Sequence, residues 1–377
     1  MSEPQQSSPQ PSADEPPAAP AEQATPAEQA ARGRTNRTLV GATAVAVVLG
    51  FVALALPAPF VVESPGPAIN TIGSVDGTPV IRVEGRETFP TSGNLDLTTV
   101  YVSGGPEREV STFEVLQGWL DPSRDVLPEE AVYQRGVSDE QVSEQNTQEM
   151  ADSQSVAVAA ALGNLGIGYG QKLSVAGLAA TTNEGVLGVG DVLTSINGTP
   201  ITDLSMLRDA LQAAGDAPVA LGIERGGEQS TVEATTTAGE GGQRQLGVYL
   251  QTTFDFPFEV NFDLENVGGP SAGMMFALGV VDTLTPGELT GGRHFAGTGT
   301  IDADGNVGAI GGIAQKMAGA RSLGAEYFLA PAANCAAVAG RIPDGLTVLK
   351  VATLEDARAA VEGVVAGKDA TALPTCP

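Results

Sequence analysis

Positive charge is scarce in this chain. Of its 377 residues only 19 are lysine or arginine, against 45 aspartates and glutamates, a formal net charge of -26. A nucleic-acid surface needs clustered Lys and Arg, so the balance argues against that partner. Acidity on this scale reads as a solvated surface that keeps a protein soluble and repels anions. The one histidine, His294, leaves a single candidate for a His-based triad and none for a multi-His metal site. The lysines are Lys172, Lys316, Lys350 and Lys368 alone. No Gly-Lys-Ser/Thr of a Walker loop occurs, and no cofactor is expected.

What is present suits two or three domains with real cores, since 42% of the residues are apolar. Residues 1–37 are mostly Pro, Ala, Gln, Ser and Glu, too polar to offset the entropy of ordering, and read as a disordered tail. Arg32, Arg34 and Arg37 close it, and no charge follows from Thr38 through Val62. A run of that length crosses a bilayer as a helix. The arginines keep its N-terminal side in the cytoplasm, so everything from Glu63 on is expected outside. A cleaved signal peptide is the alternative, with small residues at Leu56–Pro59. Signal peptides have shorter leaders and apolar cores of about 7–15 residues, which favours a retained anchor over 38–62.

Residues 63–164 form a mixed segment with short β-rich runs at Pro79–Val83 and Leu97–Val102, to which no chemical role attaches. Ser138-Asp139-Glu140-Gln141 is a capping box that opens a helix, single or broken in two. Its Val142, Met150, Val156, Val158, Ala160 and Leu162 are core-packing positions. Further on, Val192–Ile196 alternates as a strand and Asn197-Gly198 is a hairpin turn. Asp203 caps a helix that buries Leu204, Leu207 and Leu211. The run from Gly185 through Gly190-Asp191 to Ile201 resembles a PDZ domain, placed at 165–237. Such domains take an extended peptide as an added strand. Leu165-Gly166-Ile167-Gly168 is a weak candidate for the carboxylate-binding loop, and peptide binder and structural spacer both stay open.

Gly268-Gly269-Pro270-Ser271-Ala272-Gly273 is a tight turn ahead of the apolar run Met274–Val281, which reads as a buried helix. Ser271 thus sits at a helix N-terminus, where unpaired N–H groups can be capped or can stabilise an oxyanion. A plain N-cap serine is the other local reading. Beyond it, the strand-like runs Phe295–Ile301 and Val307–Ile310 flank an Asp304-Gly305 turn. Gly311-Gly312 then lead into a helix carrying Lys316 in its early turns. The macrodipole disfavours a lysine there, so helix support does not explain it, although an exposed surface lysine remains the ordinary reading. Strands at Glu326–Leu329 and Leu346–Val351 follow, and Thr353 with Asp356 caps a last helix. The Gly-Gly-Arg-His setting of His294 reads as a surface turn, which makes it a poor base.

Taken together, these features resemble the proteolytic domain of the Lon peptidases, placed at 245–377. The family's serine motif, Asp-Gly-Pro-Ser-Ala-Gly, matches Gly268 to Gly273. Its lysine motif, Gly-Gly-Leu-Lys-Glu-Lys, matches Gly311 to Lys316, with Ala314 replacing the first lysine. The family's Thr-Gly matches Thr298-Gly299. Gly268 replaces an acidic residue, and no ATPase module accompanies the domain. The order of anchor, PDZ-like and Lon-type domains resembles small membrane-bound PDZ–Lon proteins of Gram-positive bacteria.

That resemblance implies an α+β multidomain protein with an N-terminal transmembrane helix, a β-rich PDZ-like domain and a C-terminal α/β proteolytic domain. It implies an ATP-independent serine endopeptidase outside the cytoplasm, with Ser271 as nucleophile, Lys316 as base and Thr298 in support. Peptides or unfolded exported proteins would be substrates, the membrane a partner through one helix, and a homo-oligomer stays open. A non-catalytic adaptor or an envelope assembly protein is the alternative. In an oxidising exterior Cys335 and Cys376 are expected to pair, free thiols being the alternative.

Overall fold

The computed structural model describes residues 26–264 and 267–376. Its contacts define two compact units. One ends at Leu56 and adds Ser111–Phe113; the other comprises Pro57–Val110 and Glu114 onward.

The first unit is dominated by the helix Pro26–Ala55. Residues 1–25 of the expected disordered tail lie outside the described residues, whereas the helix begins inside that tail, at Pro26. Among the described residues no helix is long and apolar enough to cross a membrane. The expected span over 38–62 is not one element, because helix ends at Ala55 and the strand Phe60–Asn70 takes its last residues. Val61 and Val62 are buried there, paired with Leu127 and Val126. Hydrophobicity alone does not separate a core strand from the end of a span.

The second unit is built on a six-stranded sheet. In spatial order its strands are Thr347–Val351, Tyr327–Pro331, His294–Gly297, Asn94–Ser103, Phe60–Asn70 and Asp125–Pro128. The first four run parallel, and the last two pairings are antiparallel. Residues 63–164 therefore share one sheet with strands of 245–377. Three strands of the sheet come from the early part of the chain. One link is the Thr98 hydroxyl, which donates to the Gly297 carbonyl at 3.0 Å across 199 positions. Pairing over such a distance leaves no local sequence signal.

The helix Gly273–Leu284 is buried at every position but Thr283. A helix that is apolar all round needs cover on every side. Part of that cover is one unbroken helix, Asp139–Asn164, whose Met150, Val158, Ala161 and Leu162 join the same core as Met274, Phe276 and Leu278. Ser138 and Gln141 form its capping box. Complete burial of side chains such as Phe276 and Leu278 stabilises the fold by roughly 1.5–3 kcal/mol each.

Between the long helix and the rest of the proteolytic chain lies a second sheet with its own core. Its order is Glu228–Ala234, Val219–Arg225, Val192–Ile196, Gly170–Leu178 and Val248–Asp255. Leu173, Leu193, Leu207, Leu211 and Leu221 fill it. Asn197 and Gly198 take positive φ in a hairpin that pairs Ile196 with Thr199, and Asp203 caps the helix Leu204–Ala214. Gly170 pairs with Asp255, so the two ends of this insertion lie side by side. The expected limits of 165–237 miss its last strand. Leu165, Ile167 and Tyr169 pack instead on the proteolytic core, which removes Leu165–Gly168 as a carboxylate-binding loop.

Candidate active site

Ser271 lies in the turn ahead of the helix Gly273–Leu284, and four hydrogen bonds hold that turn. Gly269 adopts φ +82°, a conformation costly for any side chain, and its N–H bonds the Asn146 carbonyl of the long helix at 3.0 Å. Ser153 of the same helix donates to the Pro270 carbonyl at 3.1 Å. On the other side the Ser271 carbonyl accepts from the Gly299 N–H at 2.8 Å and the Thr298 hydroxyl at 3.0 Å. Two segments distant in sequence thus converge on the turn that carries Ser271.

Lys316 projects from the helix Ile313–Ser322, which starts at Gly312 with φ +65°. A Cβ at Gly312 would meet Val100 at 2.7 Å, so glycine permits a close approach of this helix to the central strand. Lys316 is only 3% exposed, unlike the solvated lysine of the ordinary reading. Its Nζ lies 2.8 Å from Ser271 Oγ and 3.1 Å from Thr298 Oγ1. Thr298 is fully buried and spends its own proton on the Ser271 carbonyl. It therefore accepts a hydrogen from Nζ, which leaves the lone pair of a neutral amine free to face the serine hydroxyl. Burial pulls the Lys316 ammonium from 10.5 down to about 8, against the opposing charge of Glu63. About a tenth of the amine is then neutral at pH 7.

Glu63 lies close enough to Lys316 for their charges to interact, which the sequence did not reveal. It was the first charge after the apolar run and marked only the end of a span. On its strand, burial holds its carboxyl above the usual range, Asp125 pushes the same way, and Lys316 opposes. Asp125 is held by a two-point contact with Arg341, at 2.8 and 3.0 Å. The structure also bears on Gly268, where the acidic residue was missed. A Cβ there would sit 3.0 Å from the Asn146 Cβ, so the long helix would have to give by a few tenths of an ångström to admit a side chain.

His294 is not in a surface turn. It opens the strand His294–Gly297, and its Nε2 lies 2.7 Å from Asp96 Oδ2. Thr298 follows the other end of that strand, about 13 Å of extended chain away, so His294 stands apart from the serine. Cys335 and Cys376 form a disulfide with Cα atoms 5.0 Å apart.

A cleft of about 360 Å³ opens beside the pair, lined by Pro67, the backbone run Thr98–Val102, Met150, Val267 and Ala272. The strand Asn94–Ser103 pairs with His294–Gly297 only as far as Leu97. Beyond Leu97, that edge has no strand partner among the described residues.

Residues 183–225 match the PDZ domain family, and residues 266–362 match the Lon protease (S16) C-terminal proteolytic domain. Neither matched stretch is an ATPase. A Lon protease of Mesomycoplasma hyopneumoniae is 34% identical over 90 residues, covering 20% of this chain. The matched region spans only 10% of that relative's length. Among solved structures, the PDZ domains of SdrC-like proteins from Listeria monocytogenes and Listeria innocua are similar at 18% and 20% identity. Each covers 21% of this chain, with 85% and 93% of those chains matched and TM-scores of 0.20 and 0.18. The chain carries a PDZ domain and a Lon-type C-terminal proteolytic domain.

Proposed function

We propose that the chain is an ATP-independent serine endopeptidase, with Ser271 as nucleophile and Lys316 as general base. The observation that carries this reading is the 2.8 Å approach of Lys316 Nζ to Ser271 Oγ within a buried pocket. A serine hydroxyl is a weak nucleophile until a base takes its proton, and a lysine is a base only when neutral. As Oγ attacks the scissile carbonyl, its proton passes to the Lys316 amine. The Gly273 and Met274 N–H groups already donate to the Pro270 and Gly299 carbonyls, so in this reading the N–H groups of Ser271 and Ala272 would meet the developing oxyanion. The ammonium then gives the proton to the departing amine, and water cleaves the acyl-enzyme by the reverse sequence. Thr298 keeps the amine aimed throughout.

Substrates in this reading are extended or unfolded segments. The unpaired edge beyond Leu97 offers backbone groups for an added strand, with the cleft beneath it for side chains. The edge strand Val248–Asp255 of the PDZ domain is a second place for a peptide to add. Location is inferred from sequence. The arginines before Thr38 and the uncharged run after it support an anchor with the C-terminal bulk outside. Exposed Val45, Leu49, Phe51 and Val52 on the helix fit lipid better than water, and the disulfide fits an oxidising compartment. Incubating the full chain and its Ser271→Ala variant with an unfolded protein, without nucleotide, tests the reading. Serine-dependent fragments are expected, and identical fragments from both proteins would refute it.

A further inference from the structure

The short helix Thr112–Leu120 is apolar on two sides. One side, with Val115 and Gly118, packs on Val62 and Val126 of the sheet. The other presents Leu116, Trp119 and Leu120, which are 39%, 63% and 85% exposed. At spacings of three and four these side chains share one face. The Trp119 ring meets Phe60 edge-on, with centroids 6.1 Å apart.

That contact restricts what can cover the face. Phe60 follows the apolar helix, which ends at Ala55, by five residues, and an extended chain spans at most about 3.6 Å per residue. Trp119 is therefore held within roughly 25 Å of the end of that helix, whatever its direction. Indole rings, apolar in body with one N–H, partition to the boundary of headgroups and acyl chains. We infer that the Leu116–Trp119–Leu120 face lies in the outer surface of the lipid bilayer, holding the proteolytic unit against the membrane. The inference rests on the anchor reading above.

Trp119 is the only tryptophan in the chain, so its fluorescence reports on this face alone. The full chain is reconstituted in phosphatidylcholine vesicles, with or without brominated acyl chains, and washed with alkaline carbonate. A retained chain with blue-shifted emission that bromine quenches roughly twofold supports the inference. Leu120→Glu should weaken the quenching while short-peptide cleavage is unchanged. A retained chain whose emission stays that of water-exposed indole overturns the inference and leaves the anchor standing. Blue-shifted emission that bromine does not quench, and that reverts on dilution, means a second copy covers the face, which also overturns it. Loss of the chain to carbonate refutes the anchor reading, and the inference with it.

Discussion

The PDZ domain and the proteolytic core bury charge in opposite ways. In the PDZ domain, Asp191 is nearly inaccessible and takes two bonds from Arg225, at 2.6 and 2.7 Å. That guanidinium holds its carboxyl below the usual carboxylate range. In the proteolytic core, Lys316 is as deeply buried but has two hydroxyls where Asp191 has an opposite charge within bonding distance. Asp282, on the nucleophile's helix, has one buried carboxylate oxygen without a partner, and burial pushes it up to about 6. A paired charge holds a fold together, whereas a buried charge without a close counter-ion is driven toward its neutral form. A neutral amine is what a lysine base needs, so the state of Lys316 supports the proposed role.

Five substitutions break or sharpen this contrast. The largest effect belongs to Ser271→Ala, expected to lower kcat/KM for a cleaved peptide by about a thousandfold or more while circular dichroism is unchanged. Asp191→Asn, in the PDZ domain, should instead lower the melting temperature and leave short-peptide turnover intact. Equal losses of turnover in both would erase the distinction.

Lys316→Met should stabilise the protein while inactivating it. The lysine's folded value of about 8 lies below its unfolded 10.5, so at neutral pH the unfolded state holds its proton more tightly. The wild type thus gains stability as pH rises from about 8 to 10.5, and the methionine variant does not. Denaturant titration at pH 7 should favour the variant by up to about 3 kcal/mol, an advantage gone by pH 11. A variant less stable at pH 7 would show that Lys316 contributes to packing rather than costing stability.

Thr298→Val should reduce kcat about tenfold with little change in KM, because the hydroxyl aims the amine without entering the reaction. A similar loss to that of Ser271→Ala would assign it a direct part. The smallest expected effect on rate is that of Glu63→Gln. Loss of the negative charge facing Lys316 should move the midpoint of the pH–rate profile downward, with the plateau retained. An upward shift would reverse the sign of the interaction.

Much of the local structure was legible in the sequence. The two capping boxes, the Asn197-Gly198 hairpin and the Asp203 cap are set by residues three or fewer positions apart, and all formed. In the PDZ domain the strand Val192–Ile196, its hairpin and the helix after Asp203 were readable for the same reason. The strands Gly170–Leu178 and Val248–Asp255, which pair over longer distances, and Val219–Arg225 and Glu228–Ala234 were not. The proteolytic sheet was not, because Asn94–Ser103 pairs with a strand about two hundred positions away and the PDZ domain interrupts the chain between them. Ser271, Thr298 and Lys316 were legible through motif resemblance. Their supporting residues, Glu63, Asn146 and Ser153, come from the part of the chain that carried no motif. A half-buried glutamate at the end of an apolar run looks the same as the first residue outside a membrane.

The side-by-side ends of the insertion allow a cut through the comparison itself. Joining Tyr169 to Phe256 by a short linker removes the PDZ domain without opening the proteolytic sheet. Cleavage of short peptides should persist and cleavage of unfolded proteins should fall. Loss of both would mean that the insertion supports the fold rather than supplying substrate.

The central claim is that buried Lys316 serves as a neutral base for Ser271, and the pH dependence of kcat/KM tests it most directly. Measured with a short peptide, the wild-type profile should rise with a midpoint near 8, as burial of the amine requires. Lys316→Arg, charged at every working pH, should stay at the level of Ser271→Ala throughout. A Lys316→Arg variant with full activity, or the same rise without the lysine, would contradict the account.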